Sequence, residues 1–382
     1  MNAEEHLSQG IDLSAIEGDQ RDTLDALRSN APLVRSSHHG WMVLGHAETR
    51  RILEDHQTFS NEVSRHLSIP NGMDPPEHTL YRQLIEAFFA PDAMTAFEPR
   101  CHELVDELVS SLSKGKDIEV MSAIGTELAV RVQTAFMGWP EHLRTRLRDW
   151  THANRGATRS GDRAEGARVA DEFAGEIRGI LEARRRDLDI RNDPTTALLD
   201  ARVEGRPLTD EELTSIVRNW TMGEVGTIST SVGIVVGFLA ANREVQDRLR
   251  AEPRGLTAAI DEMLRIDGPL VMNRRVATCP VRLGDYEIAE GDGLSILWPS
   301  ANRDEGVFGD PDDFRPQDNA DHNLLYGAGI HMCPGAPLAR MQLDFFASEL
   351  LERTTRIEPG SIPAERASFP AGGYASLFVR LH

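Results

Sequence analysis

Apolar residues recur with a helical period along most of this chain. The spacing predicts helices over roughly Asp22–Ser29, Ala47–Asp55, Glu77–Phe89, Asp92–Ser113, Val120–Met137, Asp162–Arg186 and Asp210–Ala241. Shorter ones are predicted over about Val245–Arg250, Leu256–Ile266 and Ala336–Thr354. Pro and Gly clusters such as "IPNGMDPPEH", "DGP" and "EPG" mark the joints. Strand-like stretches are few and short: "WMVLG", "RRVAT", "YEIAEGDGLSILWPS" and "SLFVRL". There is no internal repeat and no Pro/Ser-rich linker. The expectation is a mainly α protein with small β-sheets, one large helical domain over 21–382 behind a polar segment at 1–20.

The longest predicted helix, Asp210–Ala241, ends in "SVGIVVGFLAA", which is apolar nearly all round and so belongs in the interior. Gly223 and Gly226 interrupt it, each costing about 1 kcal/mol relative to alanine. Glycine there makes room for a flat ligand or loosens the hydrogen-bond ladder.

Composition narrows the function classes. The 382 residues carry a net charge of -20, which favours solubility and disfavours nucleic acid or anionic membrane as the main partner. The longest apolar run, Val232 to Ala241, is too short to span a bilayer. The polar, acidic N-terminus has no signal-peptide pattern, so a cytoplasmic location is expected. Three separated cysteines, Cys101, Cys279 and Cys333, make neither a disulfide framework nor a C-x-x-C metal site.

The candidate chemistry lies in "LLYGAGIHMCPGAPLAR", Leu324 to Arg340. Gly327, Gly329, His331, Cys333 and Gly335 occupy every second position before a helical pattern begins. Pro334 suits the first turn of that helix, which puts the Cys333 sulfur at a helix N-terminus, where free N–H groups favour thiolate. A thiolate is the strong axial donor that haem iron accepts, and Gly327 and Gly335 would let the loop pass beneath a flat macrocycle. His331 is placed to reach a carboxylate of that macrocycle. A lone cysteine in a Gly-rich turn is more often a packed structural residue; the complete spacing decides for the ligand.

"YGAGIHMCPGAPLAR" resembles the haem-binding loop of the cytochrome P450 family, F-G-x-G-x-H-x-C-x-G-x-x-L-A-R, with Tyr326 in place of Phe and a hydroxyl that needs a partner. The resemblance extends along nearly the whole chain. "EMLR" supplies the family's E-x-x-R pair, Glu262 and Arg265, with a structural role. In "ANRDEGVFGDPDDF" the family's following arginine is out of place: Asp318 stands there and Arg315 lies nearer. "MDPPEHTLYRQLI" resembles the helix that contacts haem propionates, with His78 and Arg82 four apart on one face. Arg275 in "RRVAT" matches a further propionate ligand, and Arg274 beside it is an alternative.

The family's A/G-G-x-D/E-T segment aligns with "GEVGT", Gly223 to Thr227, so Gly226 replaces the acid and Glu224 replaces a glycine. Thr227 is retained. Glu224, one turn away, is a candidate for proton relay through water or for a polar substrate group. The alternative has Glu224 facing outward and Thr227 bonded to backbone. The loop "VSRHLSIPNGM" is short for the family, so Val63 to Ile69 are expected to line the pocket, with Met272 opposite; His66 reads first as solvated.

The resemblance implies a haem-thiolate monooxygenase using haem b. It would activate O2 opposite Cys333 and insert one oxygen atom into a small organic substrate, by hydroxylation or oxidative dealkylation. No flavin or iron–sulfur module is evident, so electrons would come from a ferredoxin and a ferredoxin reductase, docking near Arg82 and Arg340. The missing acid leaves open a peroxide-dependent or rearranging haem-thiolate enzyme; a non-catalytic haem sensor is the reading from another class.

Overall fold

The periodic segments fold as helices nearly where their spacing places them. The computed structural model describes residues 11–16, 18–160, 162–187 and 191–382. The principal helices are α1 (Gln20–Asn30), α2 (His46–Glu54), α3 (Glu77–Glu86), α4 (Pro91–Ser110), α5 (Glu127–Phe136) and α6 (Leu143–Ser160). They continue with α7 (Arg163–Arg186), α8 (Pro194–Asp200), α9 (Asp210–Ala241), α10 (Arg243–Ala251), α11 (Leu256–Ile266) and α12 (Ala336–Arg353). Of these, α6 and α8 are absent from the sequence reading. The predicted strand run from Tyr286 is two strands, Tyr286–Ile288 and Gly293–Leu297, separated by a turn at Ala289–Asp292.

Residues 1–10 and 17 of the polar segment lie outside the described residues. Its described part is not merely solvated: Leu13 is buried in a cluster with Leu24, Val34 and Met42.

Among the described residues two sheets have more than two strands, and three two-stranded ribbons accompany them. The larger contains β1 (Leu33–Ser36), β2 (Gly40–Val43), β3 (Phe59–Ser60), β5 (Met272–Ala277) and β6 (Gly293–Leu297), in the order β1-β2-β6-β5-β3. The smaller pairs β7 (Ile357–Pro359), β8 (Phe378–Leu381) and β4 (Asp117–Glu119) in that order. In the larger sheet β6 runs antiparallel to β5, with Ile296 opposite Asn273 and Leu294 opposite Arg275.

Helix α9 is the axis of the molecule. It starts on a capping box, Thr209 with Glu212, which satisfies two backbone donors of the first turn. Its second half, from Ile228 to Leu239, is almost wholly buried against α5, α11 and α12. By length and composition α9 would also qualify as a membrane span, but the qualifying window is mostly buried inside the protein.

The pair Glu262–Arg265 lies at the heart of the α11 region, both side chains almost fully buried. Arg265 Nε donates to Glu262 Oε2 at 2.8 Å and its Nη1 to the Asn302 carbonyl at 2.8 Å. Glu262 Oε1 accepts the Arg315 backbone N–H at 3.0 Å and Asn319 Nδ2 at 2.7 Å. A neutral amide and a backbone group therefore complete the carboxylate, and the Arg315 guanidinium turns to the Phe308 carbonyl instead.

Candidate functional site

A cavity of about 330 Å³ lies between α9, β5 and the Leu324–Gly335 loop. Its walls include Gly223, Glu224 and Thr227 of α9, Leu270 and Asn273 at β5, and Gly327, His331, Cys333 and Gly335 of the loop.

The loop is shaped by backbone. The Cys333 N–H donates to the Tyr326 carbonyl at 2.8 Å, closing it on itself. Gly327 and Gly329 have φ of +74° and +67°, a region that disfavours side chains. At Gly329 a Cβ would also meet the Leu53 carbonyl oxygen at 2.1 Å, so this glycine lets the loop dock on α2. Helix α12 begins at Ala336 with Gly335 as its cap, so Pro337 is the proline of its first turn and Pro334 precedes the cap. What exposure Cys333 has is toward the cavity. Burial pushes its thiol up, and backbone N–H groups of Gly335 and Ala336 at the helix start pull it back toward thiolate.

Basic residues gather at one corner of the cavity, Arg275 and His331 in its wall and His78 and Arg82 behind them. The rings of His78 on α3 and His331 in the loop lie 4.2 Å apart, and the Nε2 atoms of both are buried without a partner. Burial, then the neighbouring His78 and Arg275, push His331 down to about 3. Burial and the nearby Arg82 push His78 down as well. Arg275, buried on β5, is pushed down to about 10 by burial, and among the described residues no carboxylate lies within ion-pair distance of it. Arg274 is exposed and does not line the cavity. Arg82 is mostly buried, with Nε on Glu86 at 2.7 Å. Two arginines and two imidazoles thus converge, with Glu86 on Arg82 and Asp74 nearby as the protein's own negative charge.

Helix α9 forms the opposite wall. The Thr227 hydroxyl donates to the Gly223 carbonyl at 2.5 Å and that of Thr230 to Gly226 at 3.1 Å. A Cβ at Gly223 or Gly226 would meet nothing within 4 Å, so protein packing does not demand either glycine. Glu224 faces inward, but its partner is Gln342 of α12, whose Nε2 donates to Oε1 at 2.5 Å; no bond joins it to Thr227. Burial raises the Glu224 carboxyl to about 7, opposed by that one hydrogen bond.

The remaining expectations divide. Val63 to Leu67 do not line the cavity, His66 is exposed and Ile69 is packed in the core; Asn61, Pro70 and Asn71 form that wall instead. The loop is pinned to α9: Ser215 Oγ accepts from Ile69 N–H and donates to the Leu67 carbonyl, both at 3.0 Å. Arg218 reaches the Leu67 carbonyl at 2.8 Å, and Asn219 donates to the Ile69 carbonyl at 2.9 Å. Met272 packs into the Leu13 cluster, because strand alternation turns Asn273 to the cavity in its place. The Tyr326 hydroxyl is buried beside Asp261, short of a well-shaped hydrogen bond, and its ring lies 4.6 Å under the Arg340 guanidinium. Arg340 is itself paired with Asp261 at 2.8 Å. Asn273, Gln342 and Asn319 escape sequence reasoning, since each acquires its place from a partner far along the chain.

The residues present suit a flat, dianionic macrocycle with a central metal: a sulfur on one side, a basic corner with orphaned imidazole nitrogens, and open space beside Gly223. Comparisons agree. The chain is 29% identical over 346 residues to cyclomarin C epoxidase CymV of Salinispora arenicola, covering 86% of this chain and 87% of that protein. It is 27% identical over 349 residues to the erythromycin C-12 hydroxylase of Saccharopolyspora erythraea, covering 88% and 87%. Its fold superposes on CYP109E1 from Bacillus megaterium in complex with testosterone with a TM-score of 0.84 at 26% identity, covering 95% of this chain and 99% of that one. The family model for Cytochrome P450 matches residues 158–360, more than half of the sequence, and the chain belongs to the cytochrome P450 family.

Proposed function

We propose that Cys333 is the thiolate ligand of the haem iron in this monooxygenase, and that His78, Arg82, Arg275 and His331 hold the haem carboxylates. The chain is a haem-thiolate monooxygenase and its cofactor is haem b. When bound, that group supplies dioxygen activation and transfer of one oxygen atom, with thiolate donation favouring O–O cleavage. The observation that carries the assignment is Cys333 opening into the cavity at the start of α12, opposite Thr227.

The chain's own residues do the rest. The N–H groups of Gly335 and Ala336 stabilise negative charge on Sγ. Arg82 and Arg275 would neutralise the two haem carboxylates, and the His78 and His331 nitrogens would hydrogen-bond them. Thr227, whose hydroxyl donates to the Gly223 carbonyl, would have to turn from that bond to hold or pass a proton in the cavity, and it is the alcohol we assign to that role. Glu224, tied to Gln342, acts from the edge of the cavity rather than beside Thr227. Gly327 and Gly335 keep the loop close to the macrocycle without a side chain between.

The substrate is a small organic molecule, hydroxylated or oxidatively dealkylated against Leu270, Pro70 and Asn71. Relatives that epoxidise cyclomarin C or hydroxylate erythromycin support a natural-product substrate. Electrons come from separate redox partners, for which a ferredoxin and its reductase in the cytoplasm are the simplest supply. The carboxylate missing at Gly226 supports a second reading, direct use of hydrogen peroxide. Turnover with peroxide and none with a ferredoxin system would favour it.

The test is the spectrum of the reduced, CO-bound protein beside Cys333→Ser. A strongly red-shifted Soret band, lost in the variant, is expected. A histidine-type spectrum unchanged by the substitution overturns the ligand assignment.

A further inference from the structure

Asn273 is turned toward the cavity by one bond. Trp298 Nε1 donates to its Oδ1 at 2.7 Å. Indole N–H is only a donor, so it accepts no other arrangement: Oδ1 must face Trp298, and Nδ2 with both its hydrogens is left free. Both residues line the cavity, and Asn273 is exposed within it.

Trp298 is itself held firmly. Its backbone N–H donates to the Val271 carbonyl at 3.0 Å, directly after β6 pairs with β5. Its ring lies 3.7 Å from where a Cβ of Gly327 would be, so it rests on the loop that carries Cys333. One indole therefore touches the Asn273 amide through Nε1 and the cysteine loop through the far edge of its ring.

Asn273 and Arg275 are two apart on β5, on the same face and about 7 Å along the strand. Arg275 donates from Nη1 to the Arg274 carbonyl at 2.8 Å and feels Asp74, but among the described residues no carboxylate comes within ion-pair distance of it. Both side chains line the cavity, so a carboxylate held by Arg275 has the free Asn273 amide as its neighbour on the same strand face.

We infer that Asn273, oriented by Trp298, is a further positioning residue for the haem, donating from Nδ2 to the carboxylate that Arg275 holds. This rests on the haem reading above. Unlike Arg82 and Arg275, Asn273 donates without adding charge, so it fixes the carboxylate's direction and leaves the local field almost unchanged. Trp298 acts through it, coupling the carboxylate to the cysteine loop by one side chain.

The test is haem release from the reconstituted full chain into excess apomyoglobin, followed by absorbance. Natural haem is compared with haem dimethyl ester, whose masked carboxyls carry no charge. Asn273→Ala should release natural haem roughly tenfold to a hundredfold faster, the effect of one hydrogen bond to a charged group. Trp298→Phe keeps the amide but frees it to turn, and should fall between. With the dimethyl ester, whose carbonyls accept only neutral hydrogen bonds, the acceleration should shrink to roughly twofold to tenfold. Unchanged release of natural haem overturns the inference, and so does equal acceleration for haem and ester. Unchanged release with loss of substrate-induced spectral shifts would assign Asn273 to the substrate wall instead. A wild-type chain that takes up no haem removes the underlying reading along with the inference, which separates the two failures.

Discussion

Asn319→Ala removes one of the donors on a carboxylate that has no access to water. Glu262 Oε1 accepts from Arg265 Nη2 at 3.0 Å, Arg315 N–H at 3.0 Å and Asn319 Nδ2 at 2.7 Å. The Asn319 bond is the shortest, and both residues are nearly fully buried. A hydrogen bond to a charged group contributes about 1.5–3 kcal/mol, and no solvent can replace it here. The ion pair with Arg265 survives, so the loss stays below the roughly 3–5 kcal/mol of leaving a buried charge unpaired. The expected cost is about 2 kcal/mol, close to thirtyfold in the unfolding equilibrium. Asn319→Asp separates charge from shape, because it sets a second carboxylate against Glu262. At pH 7 it should cost more than the alanine variant, and the excess should shrink at pH 5 as one carboxyl takes up a proton. The assay is urea unfolding of the haem-loaded chain, read by far-UV circular dichroism and by the Soret band. An alanine variant within about 0.5 kcal/mol of wild type, or an aspartate variant no worse than alanine at pH 7, refutes the reasoning.

Three further outcomes are expected. Glu212 accepts bonds from Arg206 and Tyr81, and these hold its carboxyl down to about 2 from an ordinary value of 4.5. Its contribution is complete above pH 4.5 and lost as pH falls toward 2, so urea midpoints of wild type and Glu212→Gln should converge across that window. Gly329→Ala places a Cβ at 2.1 Å from the Leu53 carbonyl at a φ of +67°, so haem-loaded protein should lose several degrees of Tm and release haem faster in a transfer assay. Gly226→Ala meets nothing within 4 Å and should stabilise α9 by up to about 1 kcal/mol in thermal melts; destabilisation would show that the space beside it is not free.

Much of this molecule is legible in the sequence because its helices bury one regular face each. Helix α6 was the exception: Leu143, Leu147, Trp150 and Ala157 do recur on one face, but Arg144, Arg146, Arg148 and Asp149 between them dilute the pattern. Helix α8 carried a start signal, Asp193 before Pro194, yet is too short for its period to stand out. The site divides in the same way. Cys333 and His331 share one short loop, so their common place at the cavity follows from local spacing, whereas Arg275 on β5 and His78, which stacks on His331 from α3, are brought there by the fold. Glu224 was not fully readable, since spacing along α9 gives its side of the helix but not that Gln342, 118 residues later, takes its carboxyl. Asn319 and Asn273 are likewise defined by Glu262 and Trp298, neither of them a sequence neighbour.

The clasp between α9 and the loop at Leu67–Ile69 grips mostly main chain: the carbonyls of Leu67 and Ile69 and the N–H of Ile69, with only the Ser68 hydroxyl added from a side chain. Anchorage of that kind is indifferent to what the loop is made of. Glu62 to Leu67 can be exchanged without loosening the clasp, while Ser215, Arg218 and Asn219 cannot. The molecule therefore separates a constant handle from an interchangeable blade, and a library that randomises the loop while keeping those three residues of α9 should yield folded members throughout.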